Sequence, residues 1–164
     1  MPIVSSDIKY KLSGGASNSD PNASIGGAVS ANDAPAGVFS DVTSAEAAAG
    51  KISYRCEYVK NTHATLTLIG AKVWVQTNTP SADTDISIGL GAAAVNATET
   101  AIANETTAPS GVSFSAPASE GAGLVIGDLA PGATKAIWIK RVVNAGAAVY
   151  ADSYTLRVKG DTNP

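Results

Sequence analysis

One stretch limits what this chain can become more than any other: Gly127-Asp128-Leu129-Ala130-Pro131-Gly132-Ala133-Thr134-Lys135-Ala136-Ile137-Trp138-Ile139-Lys140-Arg141. Pro presets φ and Gly supplies a positive φ, so Pro131-Gly132 suits the centre of a type II turn. After the turn, Ile137 and Ile139 point one way while Trp138 and Lys140 point the other, as successive residues of a strand must. A turn feeding a strand with one apolar face is a unit of two-sheet proteins.

Other segments repeat the pattern. Ile8, Tyr10 and Leu12 share one face of a strand. Ile52, Tyr54, Cys56 and Tyr58 alternate with Ser53, Arg55 and Glu57, which assigns the aromatic row to the inside. Residues 66–76 form a second long strand, with a bulge expected near Gly70 that switches the apolar face. Ile86, Ile88 and Leu90 define another strand. Val112 and Phe114 open one that Pro117 limits, residues 124–126 lead to the Pro-Gly turn, and Tyr154, Leu156 and Val158 mark the last strand. Residues 44–50 form one helical turn closed by Gly50, and residues 92–110 read as a long connection.

About seven to nine short strands and no long helix define an all-β chain folded as an antiparallel β-sandwich. Both immunoglobulin-like and jelly-roll connections satisfy the spacing. The first is favoured because the long patterned strands lie in the C-terminal two-thirds. Residues 13–24 contain Ser, Gly, Asn, Asp, Pro and Ala, a composition with too little apolar area to order itself. They are expected to form a loop or an arm that orders on a partner. The organisation is therefore 1–24, an N-terminal strand and flexible arm, and 25–164, a single sandwich domain.

A length of 164 residues fits one domain with a real core. Only 5% of residues are aromatic and 15% charged, and the net charge is −3. Cations are scattered, so no basic stripe marks a nucleic-acid binder. No stretch approaches the roughly 18 apolar residues that span a bilayer, and no signal peptide is visible. The chain is expected to stay in the cytoplasm where it is made.

Candidates for chemistry are sparse. His63 is the only histidine; it has no second histidine or cysteine to complete a metal set and reads as a turn residue. Cys56, the only cysteine, lies on the Tyr54–Tyr58 face as buried free cysteines do. Asp83-Thr84-Asp85 offers alternating carboxylates that suit a hard cation, but Asp is also a common turn former. The chain has no phosphate-binding glycine loop, nucleophile elbow or zinc-protease motif. The expectation is a non-enzyme with no cofactor. Trp74 shares its face with Lys72 and Gln76, and Trp138 shares its face with Lys140. Since the neighbouring Val and Ile residues claim the core, both tryptophans are expected to face outward as partner contacts.

The segments Tyr54–His63, Ala71–Pro80, Ile86–Gly91, Asn104–Pro109, the Pro131-Gly132 strand and Leu156–Asp161, with the opening Lys11–Pro21, resemble a family of small structural proteins of tailed bacteriophages. The resemblance implies a virion component, foremost a capsid decoration (cement) protein on the outer capsid surface. It would bridge major capsid protein subunits as a dimer or trimer. A tail, baseplate or fibre-associated module with a glycan or host site is the alternative. In the capsid-decoration reading the contacts are Trp74, Lys72, Trp138 and Lys140, together with Ser13, Gly14, Asn18 and Asp20 of the arm.

Overall fold

The computed structural model describes residues 2–148 and 152–162. It contains eight strands: β1 (Ile8–Ser13), β2 (Val29–Asp33), β3 (Lys51–Asn61), β4 (Leu68–Thr77), β5 (Thr84–Leu90), β6 (Leu124–Leu129), β7 (Thr134–Val143) and β8 (Thr155–Thr162). A single helix, α1 (Ser44–Ala49), opens with a capping box between Thr43 and Glu46 and ends at Gly50, as expected. The strands make two antiparallel sheets, ordered β2-β1-β3-β7-β5 and β6-β4-β8. The chain is an all-β sandwich.

The Pro-Gly turn has the expected geometry: Gly132 has φ 78° and the Ala133 N–H donates to Ala130 O at 2.9 Å. It links β6 in one sheet to β7 in the other, so it is an arch across the sandwich rather than a hairpin. Buried Asn61 clamps it. Its Nδ2 donates to Leu66 O and Leu129 O at 2.8 Å each, and its backbone N–H and C=O bond Ala133 and Gly132. The expected bulge lies at Gly70, where the pairing of β4 with both neighbours shifts register. Leu68 and Ala71, three residues apart, therefore both enter the core.

Between the sheets lie Leu12, Val59, Leu68, Val73, Val75, Ile86, Ile88, Ile137 and Ile139. Tyr54, Cys56, Tyr58, Ala136 and Trp138 form a second cluster on the opposite face of the five-stranded sheet, covered by Val29, Ile102, Val112 and Phe114. The chain's own loops thus add a third layer. β1 pairs with only the C-terminal half of β3. Beyond it, the Tyr54 and Cys56 N–H groups donate to Glu105 O and Ser24 O of the loops, at 2.7 and 2.8 Å. Gly89 permits the layer to approach: a Cβ there would lie 2.6 Å from Ser113 O. Residues 112–114 form no strand; only an isolated bridge between Ile88 and Ser115 marks the place.

The third layer corrects three expectations. The aromatic row of β3 does not face the other sheet; Arg55, Glu57 and Val59 take that side. Trp138 points away from Ile137 and Ile139, as alternation requires, yet it is fully buried (0% exposed) under the loops. Residues 13–24 are no free arm. Ser13 and Ser24 are buried; the Ser13 hydroxyl donates to Cys56 O and accepts from the Gly26 N–H. Asn18 donates to Ser13 O, and Asp20 caps a short 3-10 turn at Pro21–Ala23. This segment orders by satisfying backbone groups with short polar side chains, which needs little apolar burial.

Candidate functional site

The inner rows of β3 and β7 change character along their length. On β7 the row runs Ile137, Ile139, Arg141; on β3 it runs Val59, Glu57, Arg55, Ser53. Register places Glu57 opposite Ile137 and Ser53 opposite Arg141. One end of the inter-sheet space is therefore apolar and the other charged. At the charged end, the segment between β2 and α1 and the residues just before β8 leave a cleft of about 550 Å³. Its walls include Phe39, Ser40, Thr84, Ile86, Arg141, Asp152 and Tyr154.

Phe39 anchors this end, with the Arg141 guanidinium 4.6 Å and the Arg55 guanidinium 5.4 Å from its ring centre. Arg55 is buried and well partnered. It donates to Val38 O, Tyr54 O and Asn22 Oδ1 and forms an ion pair with Glu105 at 2.5 Å. Lys51 bridges Glu105 and Glu46, at 2.5 Å each. The Lys51 ammonium, seconded by Arg55, holds the Glu105 carboxyl below the usual carboxylate range. Arg141 is different. Its Nη1 donates to Ser40 O at 2.7 Å, but its Nε is buried without a partner, and no carboxylate pairs with it among the described residues. Desolvation, then the neighbouring Arg55 charge, lowers its pKa.

Beside the cleft, a second, open pocket of about 320 Å³ is walled by Tyr10, Glu57, Tyr154 and Leu156. Ala36 and Tyr154 border both spaces. Glu57 is buried, and desolvation pushes its carboxyl up to about 8. Burial also raises the Tyr10 and Tyr154 phenols, and the Glu57 charge adds to both effects.

The other residues singled out in the sequence serve the fold. The His63 Nδ1 accepts from the Thr65 and Leu66 N–H groups at 3.2 and 3.0 Å. Asp83 accepts from the Ala148 N–H and Asp85 from Asn78 Nδ2, so the two carboxylates serve separate loops. Cys56 is buried, and burial pushes its thiol up.

The candidate contacts fall in three places. Trp138 lies under the loop layer and Lys140 further along the same face of β7, half-buried. Trp74 and Lys72 lie on the outer face of the three-stranded sheet, where Trp74 is only 7% exposed. Lys72 sits beside Val125 on one side and Lys159 on the other. Gly14 and Asp20 are exposed on the folded 13–24 segment, Asn18 is half-buried and Ser13 is buried. The structure thus brings Trp74 and Lys72 together and separates them from Trp138, Lys140 and the N-terminal segment. Neither tryptophan is an exposed anchor: alternation sets the face of a side chain but not whether other chain covers it.

Sequence reasoning missed Phe39, Glu57, Arg141 and Tyr154 as a group. A signal was present, because Arg141 continues the Ile137–Ile139 row and Arg55 and Glu57 share the parity of Val59. No protein-family model, curated protein or solved structure matches this chain.

Proposed function

We propose that this chain is a virion structural protein of a tailed bacteriophage, a decoration protein that cements major capsid protein subunits on the outer capsid surface as a dimer or trimer. The reading combines the resemblance of segments now placed in β3, β4, β5, β7 and β8 with one structural contrast. The outer face of the five-stranded sheet is roofed by loops, whereas the outer face of β6-β4-β8 is only partly covered, over Trp74. That face exposes Val125 (61%) and Ile69, with Lys72, Arg157 and the Glu120-paired Lys159 beside them. Exposed apolar residues among charged ones suit a protein surface with an apolar centre and a polar rim. A rigid sandwich seated across a subunit junction resists shell expansion through many simultaneous contacts.

Binding of purified chain to expanded empty capsids tests this. Val125→Asp combined with Lys72→Glu lowers occupancy about tenfold or more and leaves the melting temperature nearly unchanged, as both sites are on the surface. Unchanged occupancy refutes the docking face. A second reading, a tail or fibre-associated ligand-binding module, is favoured by the cleft beside Phe39 and Tyr154. Copy number separates the two: hundreds per particle for a cement protein, a handful to dozens for a tail component.

A further inference from the structure

Two carboxylic side chains are buried among the described residues, Glu57 and Glu99. Glu99 accepts from the Ala93 N–H at 3.0 Å. Glu57 makes no hydrogen bond and no ion pair among those residues, and desolvation alone sets its pKa. The side-chain atoms sealed from solvent without a partner are Tyr10 Oη, Ser53 Oγ, Trp138 Nε1 and Arg141 Nε. The Glu57 oxygens are not among them: they keep access to the open pocket of about 320 Å³ beside the cleft. Glu57 is the only charged residue lining that pocket, and Tyr10, Pro35, Tyr154 and Leu156 supply largely apolar walls. An acid desolvated without a donor carries a cost that an opposite charge seated beside it removes.

We infer that this pocket binds a primary alkylammonium, its charge on the Glu57 carboxylate and its methylenes against Pro35, Leu156 and the Tyr10 and Tyr154 rings. A compact ammonium suits a single carboxylate, whereas a guanidinium brings five donors to that one acceptor group. The alkyl stem follows from the walls. Binding near neutral pH expels the carboxyl proton to solvent, one for each amine bound, because burial holds Glu57 at about 8. The groups facing Glu57 do not titrate with it. Tyr10 on β1 and Tyr154 before β8 stay protonated. Arg157 acts on Tyr10, and Arg141 and Arg55 act on Tyr154; arginine does not titrate near neutrality. Arg55, two residues along the same row, has its charge answered by Glu105. Two sources share the ammonium chemistry: a small free amine, and a lysine side chain of a polypeptide. The site stands independently of the capsid reading, since it uses neither Val125 nor Lys72.

The test is a nuclear magnetic resonance titration of the full-length protein that follows the Glu57 side-chain carboxyl carbon and the amides around it. Probes are n-butylammonium chloride, ammonium chloride, 1-butanol and the peptide N-acetyl-glycyl-lysyl-glycinamide, with sodium chloride matching ionic strength. Butylammonium or the peptide is expected to shift these signals saturably at pH 8, with ammonium and butanol at least about tenfold weaker. Affinity is expected to fall about fiftyfold from pH 8 to pH 6, as the proton reclaims the carboxylate. At saturation the Glu57 titration midpoint moves down by one pH unit or more. Tighter binding of the peptide identifies a polypeptide lysine as the source, and tighter binding of butylammonium a free amine. The Glu57→Gln variant is expected to lose binding, and Glu120→Gln, on the outer sheet face, to keep it. Should Glu57→Gln fail to fold, the movement of the wild-type midpoint decides alone. No saturable shift with either amine at pH 8, butanol binding as well as butylammonium, or a midpoint that stays in place overturns the inference.

Discussion

Glu57 carries its carboxyl into the space between the sheets, beside Tyr10 and Tyr154, where burial alone raises it to about 8 from an ordinary value of 4.5. Between those two pH values the folded chain holds a proton that the unfolded chain has released. Stability therefore falls as pH rises through this window. A carboxyl moved from 4.5 to about 8 corresponds to about 5 kcal/mol lost across the window. Water from the adjoining pocket of about 320 Å³ would reduce that loss. Glutamine has the shape of the protonated acid, so Glu57→Gln should match the wild type near pH 5 and exceed its stability by several kcal/mol near pH 9. Tyr10, Tyr154 and Cys56 are all pushed up by burial and stay protonated over this range, so the comparison isolates one group. Urea unfolding at pH 5, 7 and 9, read by the fluorescence of buried Trp138, measures it for both proteins. Equal pH slopes in the two, or a wild type that gains stability above pH 7, would refute the reasoning.

Trp138→Ala should cost about 3–5 kcal/mol and speed amide exchange across the loop residues Ile102, Val112 and Phe114 that cover it, a combination that exchange mass spectrometry resolves. Asn61→Ala leaves the carbonyls of Leu66 and Leu129 without their side-chain donor, and should lower stability by about 2–3 kcal/mol in chemical unfolding. Glu105→Ala strands the buried Arg55 guanidinium and should cost about 3 kcal/mol. Glu105→Gln, which keeps a hydrogen-bond acceptor, should recover part of it, as differential scanning calorimetry would show.

The fold was more legible than the site for a physical reason. Strand alternation at Ile8–Leu12, Ile86–Leu90 and Ile137–Ile139, the Pro131-Gly132 turn and the Gly70 bulge are local properties, so a sequence states them directly. Burial of Trp138 is not local. It depends on residues 102–114 folding back over β3 and β7, which no pattern within β7 announces. The same loops made the aromatic row of β3 resemble the core between the sheets, because both of its faces are buried and both rows carry large side chains. The charged end of the sandwich was readable only by extending the Ile137–Ile139 parity to Arg141. Phe39 and Tyr154 come from segments that meet it only in three dimensions. The order of residues 13–24 is invisible to composition because it does not come from apolar burial: Ser13, Asn18 and Asp20 order the chain through hydrogen bonds to backbone groups.

Each of the two long central strands is completed late. β3 has β1 along its C-terminal half from the start but waits for β7 on its other edge, and β4 waits for both β6 and β8. A chain emerging from the ribosome therefore carries β4 unpaired, and β3 with one edge open, until its last third has been made. Such non-local pairing belongs to the millisecond-to-second end of folding rates. During that interval β3 and β4 are exposed to neighbouring nascent chains, so rapid high-level synthesis favours misassembly between copies. Slowing translation or lowering temperature should raise the yield of folded protein more than any change to its surface.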